Sequence, residues 1–523
     1  MKPTQKTESQ EDLNLRCQQL EQEVESLSAR LKWYEEQFRL SQQQKFGASR
    51  EHTPEEQLSF FDEAEKEADP STEASEGEEV PRRRKKRTGH RKEMLEDLPV
   101  ERVEYTLEDT TCPQCEGTLH TMSQEVRKEL KVIPAQVKVV EHIRHVYACR
   151  HCEQNELNTP VVTASMPASV LPGSFVSPSL MAYIMSRKYS EALPLYRQEQ
   201  QLLHFGLEIS RQTMANWMLR GANDWLVYVY QRLKQEALTK EVLHADETEL
   251  QVLKEEGRTA ANKSYMWLYA TGQTDVPIYL YEYQTTRASK HPKAFLEGFE
   301  GFLHTDGYPG YNQIPKVTVV GCWAHARRKF TDALKGLKKE EEPTSHTMSS
   351  EGLAFCNQLF QLEREWKNLS PEERYTLRLE HSKPVLDAFL TWLKQNKKTT
   401  LPKSPLGKAI TYCLNQWPYL ERILLDGRLE ISNNRAERGI KPFCVGRKNW
   451  MFSNTPKGAT ASAMIFSIVE TAKANGLSPF HYLTYLLEQL PNMDLADPST
   501  MDALLPWSKT LPESCFSKTK NKD

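Results

Sequence analysis

EVLHADETELQVL (241–253), SYMWLYATG (264–272) and VPIYLYEYQ (276–284) follow one another with only short polar breaks. Branched and aromatic residues dominate, and the breaks hold Gly, Asn and Asp, so the three runs read as antiparallel strands. Outward from them, RASKHPKAFLEGF (287–299) is helix-forming and leads into a fourth strand at FLHTDGY (302–308). PGYNQI (309–314) suits a short helical turn, VTVVGC (317–322) a fully apolar strand, and WAHARRKFTDALKGL (323–337) a basic amphipathic helix.

The order βββαβαβα, a mixed sheet with helices on both faces, is the ribonuclease H-like topology. The expected fold class is therefore multidomain α/β, with a ribonuclease H-like core whose first part covers 236–336. Residues 337–430 are mainly helix-forming and broken by Pro, which reads as a helical insertion. The core then ends over 431–492, beginning at SNNRAERGIKPF, and 493–523 reads as a tail. Ahead of the sheet, 166–235 is helical: PSLMAYIMSRKY opens on Pro, LPLYRQEQQLLHFG stops at Gly206, and Ser210 is placed to cap RQTMANWMLRG. Helix, Gly-containing turn and capped helix outline a helix-turn-helix that offers Arg211, Gln212 and Asn216 to a DNA groove. An ordinary helical hairpin has the same outline.

The N-terminal third divides by composition. Over 1–45, Leu13, Cys17, Leu20, Val24, Leu27, Leu31, Tyr34 and Phe38 alternate spacings of four and three, an a/d seam. Such a seam suits a coiled coil joining two or more chains, or one helix packed within its own chain. Within the expected disordered linker, 46–92, residues 51–80 hold twelve acids and one Lys, and 82–92 hold eight Lys or Arg in eleven positions. The basic run suits a sequence-independent phosphate-binding arm; a solvated tail has the same composition. In 93–165, Cys112-Pro-Gln-Cys115 and Cys149-Arg-His-Cys152 are two knuckles separated by 33 residues, and KVIPAQVKVVEHIRHVYAC between them alternates like two strands. Two thiolates from each knuckle complete a tetrahedral site for one structural zinc; four protein ligands leave no position for water. A redox CxxC lacks its βαβ surroundings here, and His151 is a possible substitute ligand.

With 523 residues, 68 Lys+Arg and 71 Asp+Glu, the net charge is only -3, so any nucleic-acid role must rest on local patches. Ten cysteines are too sparse for a disulfide scaffold, no run reaches the roughly 20 apolar residues of a membrane span, and the start has no apolar signal region. A cytoplasmic protein with no membrane partner is the expectation.

Asp246 falls on the first strand and Asp306 at the end of the fourth, strands that are neighbours in this topology. Two divalent cations about 3.5–4 Å apart need a bridging carboxylate and further oxygen ligands, and hard oxygens select magnesium or manganese. Glu437, in a helix-prone run, is a candidate third acid. From pattern alone Asp275, Asp332 and Asp426 compete with these. Arg435, Arg438, Lys441, Arg447, Lys448 and Lys457 place six cations within 23 residues, with Phe443, Trp450 and Phe452 interleaved, a composition suited to phosphates and unstacked bases or to aromatic packing beside a charged helix. His325, Arg327 and Arg328 follow the fifth strand, where they suit the scissile phosphate; His325 also suits a core histidine.

HADET (244–248), HTDGYPGYN (304–312), GCWAHARRKF (321–330) and SNNRAERGIKPFCVGRKNWMFSNTPKGATAS (432–462) resemble the core motifs of the insertion-sequence-66 family of bacterial DDE transposases. QQKFGASRE (43–51), LEDLPVERVEY (95–105) and LPLYRQEQQLLHFGLEISRQTMANW (193–217) extend the resemblance in the same order, over about 13–490. It implies Asp246, Asp306 and Glu437 as the catalytic, magnesium-binding acids, with the helical insertion an unusually long spacer before Glu437. It also implies terminal inverted repeats as substrate, strand transfer to target DNA, multimers and small accessory proteins. A catalytically inactive repressor and a hydrolytic nuclease on the same fold are the alternatives.

Overall fold

A computed structural model describes residues 137–148, 161–335, 347–495 and 497–517. The coiled-coil segment, the linker with its basic run, and Cys112, Cys115, Cys149, His151 and Cys152 lie outside the described residues. No described helix is long and apolar enough to cross a membrane.

Strand β1 (Val146–Ala148) pairs antiparallel with β2 (Val161–Thr163), Val146 opposite Thr163. The partner of β1 comes from beyond Cys152 and 137–145 are not strand, while the start of the expected strand pair, 131–136, lies outside the described residues. Alternation alone marks a strand, and its partner is a non-local choice.

Four helices follow. In α1 (Pro178–Tyr189) the Ser177 hydroxyl accepts the Leu180 amide and Pro occupies the first turn. After α2 (Leu195–His204), Gly206 turns the chain at φ 77°, and the Ser210 hydroxyl caps α3 (Arg211–Arg220) by accepting the Thr213 amide. The helix continues through one π-turn into α4 (Val227–Leu238). Met181, Ile184, Met185, Met214 and Leu226 are fully buried, in a core shared with the sheet. The helical region expected as a domain of its own is therefore one layer of the larger fold. Helices this short cannot bury their apolar faces alone.

The main sheet has strands β3 (Val242–Gln251), β4 (Lys263–Thr271), β5 (Tyr279–Gln284), β6 (Gly301–Thr305) and β7 (Val317–Gly321), in spatial order β5-β4-β3-β6-β7. β3, β4 and β5 are antiparallel neighbours, whereas β3–β6 and β6–β7 are parallel. Parallel pairs need crossovers, and α5 (Lys290–Phe295) lies on the first. β7 runs through Cys322 into α6 (Trp323–Lys335).

α7 (Met348–Glu365), α8 (Pro371–Leu377), α9 (Lys383–Thr399) and α10 (Pro405–Leu420) fill the stretch expected as an insertion. They form a second core with α6 and β7 around Phe330, Phe389 and Trp417. Fully buried Arg378 braces the exit from this layer. Its guanidinium grips Glu363 twice at 2.6 Å and donates to the carbonyls of Ile423, Asp426 and Leu429, so all its donors are used as the chain turns back to the sheet.

α11 (Asn434–Trp450), α12 (Pro456–Ala474) and α13 (Pro479–Gln489) complete the main core, with α13 against α1. The expected tail is corrected in part. Residues up to 517 belong to the fold: a short helix α14 (Pro498–Asp502) is followed by buried Leu504, Leu505, Leu511 and Cys515, and the Ser517 amide donates to Gly476.

Candidate active site

The site grows from the register of β3 and β6. His244 sits opposite His304, and their rings stack 4.5 Å apart with 9° between planes. Residues two apart on a strand share a face, so Asp246 and Asp306 stand one step beyond the stacked pair, on the same face and side by side. Both acids thus close the same three-residue pattern, His-x-Asp, a signal present in the sequence whose meaning depends on the pairing. Asp306 lies just past β6; its Oδ1 accepts the Tyr308 amide at 3.0 Å. Gly307 makes the turn at φ 96°, where a Cβ would meet the Gln416 side chain at 2.8 Å.

α11 delivers Glu437 in its first turn. Asn433, just ahead of the helix, donates from Nδ2 to the Ala245 carbonyl at 2.9 Å, while its Oδ1 lies 3.1 Å from His244 Nδ1. The start of α11 is thereby tied to the residue preceding Asp246. Further along, a Cβ on Gly439 would meet Leu268 at 2.7 Å and the Tyr279 ring at 2.8 Å, so the bare backbone lets the helix lie directly on the sheet. Tyr281 donates its hydroxyl hydrogen to the Gly439 carbonyl.

Glu437 is 3 % exposed, yet neither of its oxygens has a hydrogen-bond partner among the described residues. His325 Nδ1 lies 3.5 Å from one oxygen and Arg328 Nη2 3.7 Å from the other. Burial pushes the Glu437 carboxyl up, Arg328 pulls it down and Asp306 pushes it up again; the net direction is upward. Asp246 is raised well above the usual carboxylate range by burial and by the charges of Glu247, Asp306 and Glu437. Ionised carboxylates this close repel one another, and Glu437 adds two buried oxygens without hydrogen-bond partners among the described residues; divalent cations relieve such repulsion. The donors are hard oxygens, so the residues present fit magnesium or manganese. Burial and Arg328 pull the His325 imidazole down to about 4, which leaves it neutral at pH 7.

A buried polar layer supports the acids. Glu430 Oε2 is 2.6 Å from His244 Nε2 and accepts Arg435 Nε at 3.0 Å, its other oxygen accepts Arg435 Nη2 at 3.1 Å, and its amide donates to His304 Nε2. On the other side of Asp246, Glu247 takes the Tyr311 hydroxyl at 2.6 Å and pairs with Arg287. Sequence reasoning missed His244, His304, Glu430, Asn433 and Glu247 because each looks ordinary until the strands are paired.

The model of the Transposase IS66 family matches residues 173–461, more than half of the chain and all three acids. The chain belongs to this family. Further matches cover 109–153 (zinc-finger binding domain of transposase IS66), 467–507 (IS66 C-terminal element) and 33–103 (Transposase C of IS166 homeodomain). Among relatives, the uncharacterized Sinorhizobium fredii protein y4qI is 32% identical over 433 residues, spanning 78% of this chain and 76% of its own. Uncharacterized protein y4hP of the same organism is 30% identical over 436 residues, 80% of this chain and 76% of its own. No solved structure matches. The zinc-finger match spans Cys112, Cys115, Cys149 and Cys152, and the C-terminal match runs past 493, in line with the packing of that segment.

For this IS66-family transposase the structure sorts the expected DNA contacts. Arg211, Gln212 and Asn216 of α3 are exposed whereas Met214, Trp217 and Met218 are buried, and Gln212 donates to Asn216. Lys448 and Arg438 are exposed; Arg447 reaches Thr248, two residues along the strand from Asp246. Four assignments are corrected. Arg327 is buried and donates to Asn357 of the insertion, because its position on α6 faces that layer. Arg435 is held by Glu430 inside the polar layer. Trp450 packs against Phe466 and Tyr189, with Lys188 over its ring, and Phe443 is a core residue. Asp426, one of the acids that compete by pattern alone, pairs with Arg428 at 2.7 Å.

Proposed function

We propose that the protein binds the terminal inverted repeats of its insertion sequence, cleaves the DNA at the element ends and joins the 3′ ends to target DNA. The core is read as ribonuclease H-like, supported by the strand order and by the parallel placement of β3 beside β6. The observation that carries the reading is the approach of Glu437, buried and with neither oxygen hydrogen-bonded among the described residues, to the two adjacent aspartates. Asp246, Asp306 and Glu437 would hold two magnesium or manganese ions, which when bound supply an activated nucleophile and charge stabilisation at the departing oxygen. Water, and then the freed 3′-hydroxyl, attacks a phosphodiester in line. His325 and Arg328 face Glu437 from α6 and are placed to hold a non-bridging phosphate oxygen, Arg328 by charge and neutral His325 by a hydrogen bond. Arg438, Arg447 and Lys448 extend the cationic surface for the DNA backbone, and Arg211, Gln212 and Asn216 are read as base contacts. Cys112, Cys115, Cys149 and Cys152 hold one structural zinc, the 1–45 segment joins chains, and small proteins encoded beside the gene assist.

A strand-transfer assay on an end-bearing oligonucleotide tests this. Asp246→Asn, Asp306→Asn and Glu437→Gln should each lower cleavage and joining by about three orders of magnitude, the scale of several kcal/mol of lost transition-state stabilisation, with end binding intact. The exposed control Asp332→Asn should match wild type. Calcium should not replace magnesium. Wild-type cutting without joining would make the protein a nuclease, and binding without cutting a repressor; full activity in any acid variant refutes the site.

A further inference from the structure

Cys322 was not among the residues expected at the site, and the function above does not use it. It stands immediately before α6, and His325 is in the first turn of that helix; side chains at these two positions of a helix start face each other, as in a capping box. One ligand atom each from Cys322, His325 and Glu437 lie within 4.8 Å of one another. Cys322 is 1 % exposed and accepts the Asn433 amide at 3.1 Å; the Glu437 oxygens and His325 Nδ1 lack hydrogen-bond partners among the described residues. The His325 side chain is 21 % exposed, which leaves an entry path from solvent.

Thiol, imidazole and carboxylate form the donor set of zinc, not of magnesium. Zinc bonds of about 2.0–2.3 Å put tetrahedral ligands about 3.5 Å apart, so shifts of about an ångström close this triangle and leave a fourth, open position. We propose that Cys322, His325 and Glu437 bind a zinc-class cation, distinct from the four-cysteine site, and that occupancy silences the enzyme by withdrawing Glu437 from the two aspartates. On binding, the Cys322 S–H bond breaks, its proton goes to solvent, and the sulfur donates its pair to the cation; no electron is transferred. The silencing clause rests on the catalytic reading of Glu437, whereas the binding itself does not.

The test uses the full chain with its resident zinc, free of DNA and magnesium, titrated with cobalt(II). One additional cobalt per chain should bind and give a thiolate-to-cobalt charge-transfer band that is absent in Cys322→Ser, whose hydroxyl still accepts the Asn433 amide. His325→Gln, which keeps the thiol, should lower cobalt affinity at least about tenfold. No band in wild type, a full band in Cys322→Ser, or unchanged affinity in His325→Gln overturns the site. In magnesium, added zinc should inhibit strand transfer by the wild type and spare Cys322→Ser; equal inhibition of both overturns the silencing. A protein inactive in magnesium before zinc is added counts against the function proposed above, while the cobalt spectrum still decides the site.

Discussion

Glu430→Gln separates the polar layer from the acids it supports. The wild-type carboxylate lies 2.6 Å from His244 and makes two contacts of 3.0 and 3.1 Å with Arg435, and the three side chains are only 18, 0 and 17% exposed. The substitution keeps the shape and removes the charge, leaving the Arg435 guanidinium without its counter-ion. Breaking a buried pair costs about 3–5 kcal/mol; with about a fifth of each partner still wetted, the low end applies, about 3 kcal/mol. The pH dependence has a definite sign. Burial works to raise the Glu430 pKa, but His244 and Arg435 hold it far below the ordinary value. A depressed carboxylate contributes stability that is complete above its unfolded pKa, near 4.5, and is lost as pH falls through the folded one. Thermal unfolding of wild type and variant at pH 7.5, 5 and 3.5 should therefore show a gap of several degrees that narrows only towards the acid end. Arg435→Met in the Glu430→Gln background should recover much of the loss, since it removes the stranded charge. Strand transfer by Glu430→Gln below its melting range should fall further than end binding, because Glu430 contacts the strand of Asp246 and the first turn of α11 together. A gap under about 0.5 kcal/mol, or one unchanged across the pH series, would show that the layer does not hold the site.

Burial raises the Glu282 carboxyl on β5 from 4.5 to about 7, so the folded chain holds a proton there that the unfolded chain has released; stability falls as pH rises through this window, by up to about 3 kcal/mol. Glu282→Gln should flatten the melting profile between pH 5 and 8, and parallel profiles would sink the assignment. Metal analysis of chain purified with cysteines reduced should return one tightly held zinc, lost in Cys149→Ser; no zinc, or full zinc in that variant, would remove the ribbon assignment. Deleting 1–45 should lower the number of chains per particle in sedimentation, because the apolar seam gains burial only against a partner helix. An unchanged particle would make that helix internal.

Local chemistry determined much of this protein without tertiary information. Strand alternation from Val242 to Gln284, Pro178 in the first turn of α1, and the Ser210 cap are dictated within a few residues, and the structure has them where the sequence puts them. The HADET, HTDGY and SNNRAERG motifs carried the family because they lie in unbroken runs. Side-chain roles set by contacts across the fold were not legible. Of 71 acids, only the parallel pairing of β3 with β6 places Asp246 beside Asp306, and only the seating of Asn433 and Gly439 on the sheet lowers Glu437 towards them. The same non-local packing turned Arg327 and Arg435 inward, made Trp450 a wall of the core and drew 497–517 onto α13. A period of two or of 3.6 residues is written into neighbouring positions and survives in the bare sequence. Which face is covered, and by what, depends on elements separated by the whole helical insertion, so it exists only once the chain has closed on itself.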